Sequence, residues 1–338
     1  MKSTISTTFA ASALALLSAC GGSGDGGTAQ PVGPAGLSIT SGNQAAVSRA
    51  TVTGGLAVSS VETATSAGGA TVQPTSIGAR GHALAALARR VLGAGLTPRA
   101  TIQSASTHPL AIVSDTQACA AGGSLTATFN DVDGNQQISA GDILSIQFND
   151  CRDSATSLYN GKAVITISTV PSAEQITANA DFQNVSAVEG GLTSTVDGTL
   201  SIAETESVTE SDITLTVGAG GLTETMASAG YNDVVTLEAG LRITVDDVFA
   251  TNRSTMTFDG VLDAQSVGGG VTLTTKSPIV LLDSDTYPSA GAIQAKGAHG
   301  TLLVTVLGTT SVQMQLDADD DGTYESTTTT SWTSLIPQ

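Results

Sequence analysis

The sequence predicts a mainly β protein: a large antiparallel meander sheet curled into a half-barrel, a barrel or a sandwich, with one or two short N-terminal helices packed on it. Three observations carry this expectation. From Cys119 onward, runs such as SLTATFN, ILSIQFND, KAVITIST, DITLTVG, LRITVDDV, STMTFDGVLD, GVTLTTK, TLLVTVL and SVQMQLD alternate apolar and polar residues. That is the pattern of strands buried on one face and wet on the other. Gly-, Asp- or Asn-containing turns separate them with few candidate helices between, so the connections read as antiparallel, since parallel pairing needs long crossovers. Charged residues are only 12% of the chain and aromatics 3%, and the small β-branched side chains that remain suit sheets. About a dozen strands are expected, more than an open twisted sheet usually carries without curling.

The first residues read MKSTISTTFAASALALLSAC. Lys2 precedes an apolar stretch from Phe9 to Leu17 and then small residues, the layout of a secretory signal with an apolar part too short to span a bilayer. Leu17-Ser18-Ala19-Cys20 resembles the lipobox of bacterial lipoproteins. The resemblance implies that residues 1–19 are a signal peptide, that the Cys20 thiol receives a diacylglyceryl group, and that the new amino terminus is acylated with a fatty acid such as palmitate. Several acyl chains make such an anchor stable, whereas one holds only marginally. Gly21 after the cysteine, in place of Asp, implies the outer membrane by the family's sorting rule. The alternative is an ordinary secretory signal with Cys20 as a passenger.

Residues 20–36 (GGSGDGGTAQPVGPAG after the cysteine) read as a flexible tether. Residues 37–111 are weakly patterned. Asn43 followed by QAAVSRA suits a short helix in which Asn43 accepts from the first free amides. In GHALAALARRVLGAGL (81–96), Leu84, Leu87, Ala88, Val91 and Leu92 fall at helical spacing, Arg89 and Arg90 complement the dipole, and Gly93 and Gly95 mark a stop. A helix packed on the sheet is preferred here over one lying on a membrane surface. Residues 112–338 form the expected antiparallel β domain. Its strands lack the aromatic girdles of a transmembrane barrel.

The formal net charge of −18 argues against nucleic acid, which needs clustered Lys and Arg, and favours divalent cations as counterions. Of the three cysteines, Cys20 is taken by the anchor. Cys119 and Cys151 enclose a strand–loop–strand stretch whose ends a hairpin brings together, so a disulfide between them is expected in an oxidising compartment.

Inside that stretch lies Asp131-Val132-Asp133-Gly134-Asn135-Gln136-Gln137-Ile138-Ser139-Ala140-Gly141-Asp142. It resembles the calcium loop of EF-hands and, more closely, of dockerins. The resemblance implies side-chain oxygens from Asp131, Asp133 and Asn135, the backbone carbonyl of Gln137, a hydroxyl or water at Ser139, and a closing carboxylate from Asp142. Calcium takes six to eight oxygens at flexible geometry, which alternate residues of a tight loop supply. Two departures stand out: Gln136 occupies the glycine position, with Gly134 two places early, and the flanks are strand-like. The alternative is a polar hairpin turn. Near the C-terminus Asp317-Ala318-Asp319-Asp320-Asp321-Gly322-Thr323-Tyr324-Glu325 keeps the DxDxDG core intact. Asp317, Asp319, Asp321 and the Thr323 carbonyl are its expected ligands, with Glu325 as a further candidate. Calcium, in a structural role, is the one cofactor expected. Lipobox, glycine tether, Cys-flanked acidic hairpin and terminal acidic loop together resemble β-rich envelope lipoproteins of Gram-negative bacteria, a resemblance that implies location and architecture and no activity.

Catalysis finds little support. His82, His108 and His299 show no zinc-binding spacing, there is no GxSxG elbow, no GxGxxG follows a strand to open a helix, and Asp246 and Asp247 are adjacent strand residues that point to opposite faces. An unrecognised hydrolase is therefore the minor alternative. Two non-enzymatic readings remain: a calcium-stiffened structural or adhesive module of the envelope or surface, which is preferred, and a periplasmic half-barrel carrier for a lipid or other hydrophobic ligand. Apolar runs such as Ile279-Val280-Leu281-Leu282 and Leu302–Val306 suit either a filled core or a cavity. A packed interior favours the module and a lined pocket the carrier.

Overall fold

In the computed structural model the described residues are 36–59 and 112–336, without 136, 153, 173, 190–191, 229–230, 283–284 and 286. Cys20, the tether to residue 35 and the helical pattern at 81–96 lie outside them. Among the described residues fifteen strands follow one helix, α1 (Gln44–Ser59): β1 (Ile112–Ala118), β2 (Gly122–Asn130), β3 (Ile143–Arg152), β4 (Ser157–Ser172), β5 (Gln175–Glu189), β6 (Leu192–Glu206), β7 (Glu210–Ser228), β8 (Tyr231–Leu237), β9 (Arg242–Val248), β10 (Arg253–Ala264), β11 (Gly269–Leu282), β12 (Ala290–Lys296), β13 (Thr301–Val306), β14 (Ser311–Asp317) and β15 (Ser326–Ser331). A short C-terminal helix, α2 (Trp332–Leu335), closes the order.

All strands belong to one sheet, each antiparallel to its neighbours and ordered as in the sequence. The expected meander is therefore what forms. The single departure is instructive. β8 pairs with the second half of β7 and β9 with its first half, and both face β10. β8 and β9 are thus one strand position broken at residues 238–241. There the Gly240 N–H donates to the Val217 carbonyl and the Leu241 N–H to that of Glu238.

Strands β4 to β7 run 15–19 residues, beyond the usual length, and a line of irregularities bends them. The registers shift between Phe182 and Val185 in β5 and between Gly198 and Leu200 in β6. Where one strand bulges, its neighbour carries a glycine. At Gly161 (φ 101°) a Cβ would lie 2.3 Å from the Asn184 carbonyl oxygen, and at Gly198 (φ 128°) 2.3 Å from that of Gly221. Bulges of this kind bend a strand and increase its twist, which is what a sheet this wide needs in order to curl.

One face of the sheet is mainly apolar. Ile146 and Phe148 of β3, Leu200 of β6, Leu215 of β7, Phe258 of β10, Leu302 of β13 and Met314 of β14 are buried in a single core. On that face lies α1, against strands β8–β10 and β12–β14 and against α2. Gly54 admits close packing, since a Cβ there would fall 2.3 Å from Leu262 Cδ1. Burial of Val47, Ser48, Ala50, Thr51, Val52 and Thr53 carries this helix through the run Thr51-Val52-Thr53-Gly54-Gly55, which disfavours it intrinsically. Asn43 caps in the reverse of the expected sense. Its Oδ1 accepts from the Thr40 N–H at 2.8 Å, and its amide donates to the Ser38 carbonyl, so it fixes the approach to the helix and leaves the first helical amides to other partners. Leu37–Ile39 is laid along the β12–β13 turn, with Ile39 N–H donating to the His299 carbonyl and Ala298 N–H to that of Leu37, both at 2.8 Å.

Cys119 and Cys151 form the expected disulfide, with their Cα atoms 5.4 Å apart. Among the described residues no helix is long and apolar enough to cross a membrane.

Candidate metal centres

The β2–β3 loop is rich in residues that hydrogen-bond their own backbone, and it is organised by them. Asp131, at the end of β2, accepts from the N–H groups of Gly134 (2.7 Å) and Asn135 (3.2 Å). Asp133 accepts from Asn135 N–H at 3.1 Å, and Asn135 Oδ1 from Gln137 N–H at 2.6 Å. Asp142, just before β3, accepts from Val132 N–H (2.9 Å) and Ser139 N–H (2.7 Å), so it closes the loop across its base. The Ser139 hydroxyl stands within 3.0 Å of Asp133 Oδ2 and 3.1 Å of Asp142 Oδ2. Asp131 and Asp142 are buried and Asp133 is exposed. The Asn135 N–H holds the Asp133 carboxyl below its ordinary range. The outcome is three carboxylates with an oxygen each inside a 4.8 Å span. The glycine displaced to position 134 has φ 71°, so it supplies a left-handed turn two places earlier than an EF-hand does.

The β14–β15 loop repeats the scheme. Asp317 accepts from Asp321 N–H (3.1 Å) and Gly322 N–H (2.9 Å), Asp319 from Asp321 N–H, and Asp321 from Thr323 N–H at 2.7 Å. Glu325 reaches back to accept from Ala318 N–H at 2.7 Å. Asp317, Asp319, Asp321 and Glu325 converge within 4.8 Å. Because successive turns lie at opposite ends of an antiparallel meander, the two clusters sit at opposite ends of the strands.

Sequence reasoning therefore picked out residues that do come together: Asp131, Asp133 and Asp142 in one loop, and Asp317, Asp319, Asp321 and Glu325 in the other. Asn135 and Ser139 touch the first group through hydrogen bonds. Gln137 and Thr323 meet their clusters through the N–H groups described above. Both arrangements offer hard oxygen donors of the kind that hold a metal ion.

The chain matches no protein family, no curated protein and no solved structure. Its chemistry has to be argued from its own residues.

Two polar residues escaped the sequence reading. Asp320 is drawn away from its cluster. It accepts from Gly300 N–H at 3.0 Å and the Thr301 hydroxyl at 2.8 Å, and the Thr301 bond, ahead of the Gly300 N–H and the nearby Lys296 and His299, keeps its carboxyl below the usual range. Glu224 lies on the buried face of β7 with the Ser194 hydroxyl donating to it at 2.8 Å, and burial pushes its pKa up to about 7. Its signal was present in LTETMAS, where Glu224 holds the same phase as Leu222 and Met226.

Proposed function

We propose that this chain is a lipid-anchored envelope or surface module of structural or adhesive type, held by calcium at both ends of its sheet and by the Cys119–Cys151 bridge. The observation that carries the calcium part is the convergence of carboxylates in two separate hairpin loops. Like charges so close repel, and folding brings them together on Asx turns that leave further oxygen lone pairs over. A cation that accepts six to eight oxygens at flexible geometry removes the repulsion. In the first loop Asp131, Asp133, Asn135, Gln137, Ser139 and Asp142 would supply them. In the second the donors would be Asp317, Asp319, Asp321, Thr323 and Glu325. Ions placed so would stiffen the two hairpins where an extracellular β protein is most exposed.

The anchor rests on the lipobox at Cys20 and on the outer-membrane reading of Gly21. The module is favoured over the hydrophobic carrier by the packing of the concave face, where α1 and the inward side chains of β3–β14 are buried together. For the carrier there is only a small apolar cavity of about 10 Å³ between Val52, Ile279, Pro288, Ile293, Val304, Val306 and Trp332, room for about one water and not for an acyl chain.

Thermal unfolding in calcium and in EGTA tests the calcium reading. A ligand that binds only the folded state adds about 2.7 kcal/mol at 100 times its dissociation constant. A midpoint several degrees lower in EGTA is expected, and the difference should shrink in Asp133→Asn and in Asp319→Asn. An equal midpoint in both buffers would reduce the loops to ordinary turns. Loss of metabolic palmitate labelling in Cys20→Ser tests the anchor, and lipid copurifying with the wild type would favour the carrier.

A further inference from the structure

At the end of the sheet where β6 turns into β7 and β9 into β10, the concave face changes character. Deeper in, β6, β7, β9 and β10 point Ile202, Leu215, Ile243 and Phe258 inward, all buried. Following the same alternation outward, the next inward residues are Glu204, Ile213, Val245 and Met256, and the last are Glu206, Ser211, Asp247 and Ser254. The registers put this last set in one row: Ser211 is directly opposite Glu206 on one side and Asp247 on the other, and Asp247 is opposite Ser254. The basic residues of these strands, Arg242 and Arg253, alternate to the outer face, and both are exposed.

Ser211 gives this acidic row its meaning. Its side chain is 1% exposed, and its hydroxyl makes no hydrogen bond. It stands between two carboxylate-bearing positions on the same face. A hydroxyl that rotates freely beside carboxylates normally donates to one of them. A buried one that does not is a cost which the apo protein carries.

We infer that this row is a binding site for a primary ammonium group carried on an apolar body. Adjacent strands lie about 4.8 Å apart, so the Glu206 and Asp247 backbones are separated by about 10 Å with Ser211 midway. An ammonium has three N–H donors and no acceptor. Glu206, Asp247 and the Ser211 oxygen, side by side in one row of the register, offer three acceptors, and Ser254, which donates to Asp247, orients that carboxylate. Beneath the row Ile213, Val245, Met256 and, from β11, Ile279 form an apolar floor. A divalent metal fits less well, because Glu204, Glu206 and Asp247 do not converge as the two loop clusters do. The ligand is recognised by its N–H donors and its apolar body, whether it comes as a free lipophilic amine or as a lysine side chain of a protein partner.

Calorimetric titration of the full chain with octylammonium chloride tests this, carried out in EGTA so that the acidic loops have no bearing on the result. Octylammonium should bind at least tenfold more tightly than octyltrimethylammonium, which has the charge and the chain but no N–H. Glu206→Gln should weaken binding about tenfold. Ser211→Ala should weaken it at least threefold while leaving the unliganded melting temperature equal or higher, a pairing that a merely structural hydroxyl would not give. Tighter binding of N-acetyl-lysine methylamide than of octylammonium would assign the site to a protein partner, and the reverse to a free amine. Equal affinity for octyltrimethylammonium or 1-octanol, or unchanged octylammonium binding in Ser211→Ala, would overturn the inference.

Discussion

The Asp320 carboxylate accepts the Thr301 hydroxyl at 2.8 Å and the Gly300 N–H at 3.0 Å. These bonds join the β14–β15 acidic loop to the β12–β13 turn, and that turn also holds Leu37–Ile39 through hydrogen bonds at Ile39 and Ala298. One carboxylate therefore links a candidate metal loop to the segment Leu37–Ile39 that leads into α1. Its neighbours Asp319 and Asp321 face their own cluster, which explains how four acidic residues in five positions divide between two tasks.

Asp320→Ala removes both bonds. Because the loop is solvent-exposed, the expected loss is at the low end for charged hydrogen bonds, about 1 kcal/mol, read from urea denaturation. Amide exchange at Ile39 and Ala298 should quicken as the turn loosens. Metal content should stay the same, and a fall in it would make Asp320 a ligand.

Glu224 sets a pH dependence of opposite sign to most carboxylates. Burial, only partly opposed by the Ser194 hydroxyl, raises its pKa to about 7, so the folded state holds a proton that the unfolded chain has released. Its contribution to stability is whole below about pH 4.3, declines as pH rises, and is lost once pH has passed about 7. Glu224→Gln keeps a neutral side chain at every pH. The stability difference between this variant and the wild type should shift in the variant's favour by about 3 kcal/mol from pH 4 to pH 8. Urea midpoints at the two values measure it, and a constant difference would show that Glu224 is solvated.

The disulfide joins the end of β1 to β3 across 32 residues. Chain-entropy reasoning gives about 3–4 kcal/mol for a loop of that size. The double variant Cys119→Ser, Cys151→Ser should lose stability of that order, and exchange should rise first in β1, which among the described residues pairs with β2 alone. Loss confined to β1, with the global transition unmoved, would mean that the edge strand unfolds separately.

Where alternation holds, the strands were legible from residues alone: β9 buries every second residue, and so do β3 as far as Phe148 and β14 as far as Leu316. β5 was not, since Phe182 and Val185 are both buried three positions apart, and the bulge at Asn184 between them (φ 50°) hides the period. α1 was underestimated for a different reason. TVTGG has poor helix propensity, and burial of residues 47–53 against β8–β10 and β12–β14 offsets it, which is a tertiary fact. The acidic loops were legible because Asp and Asn at alternate positions build local turns that need no distant partner. Asp320 could not be separated from its neighbours in that way, because its partners are 19 and 20 residues away in sequence. Nor could Ser211: its meaning depends on the register that places Glu206 and Asp247 on either side.

The bend in the sheet offers a test with its own control. Gly198 has φ 128°, and a Cβ there would meet the Gly221 carbonyl oxygen at 2.3 Å and Leu222 Cα at 2.9 Å, both backbone atoms of the strand beside it. Gly240, in the break between β8 and β9, has φ 84° but open space around it. Gly240→Ala should therefore cost only the left-handed conformation, about 1–2 kcal/mol. Gly198→Ala adds a clash that no side-chain rotation relieves, so two long strands must separate or shift register, and the expected loss is about 3 kcal/mol or more. Chemical denaturation of the two variants compares them directly. If they lose equal stability, β6 and β7 have room to part at this point, and the curl of the sheet must come from twist spread along the strands.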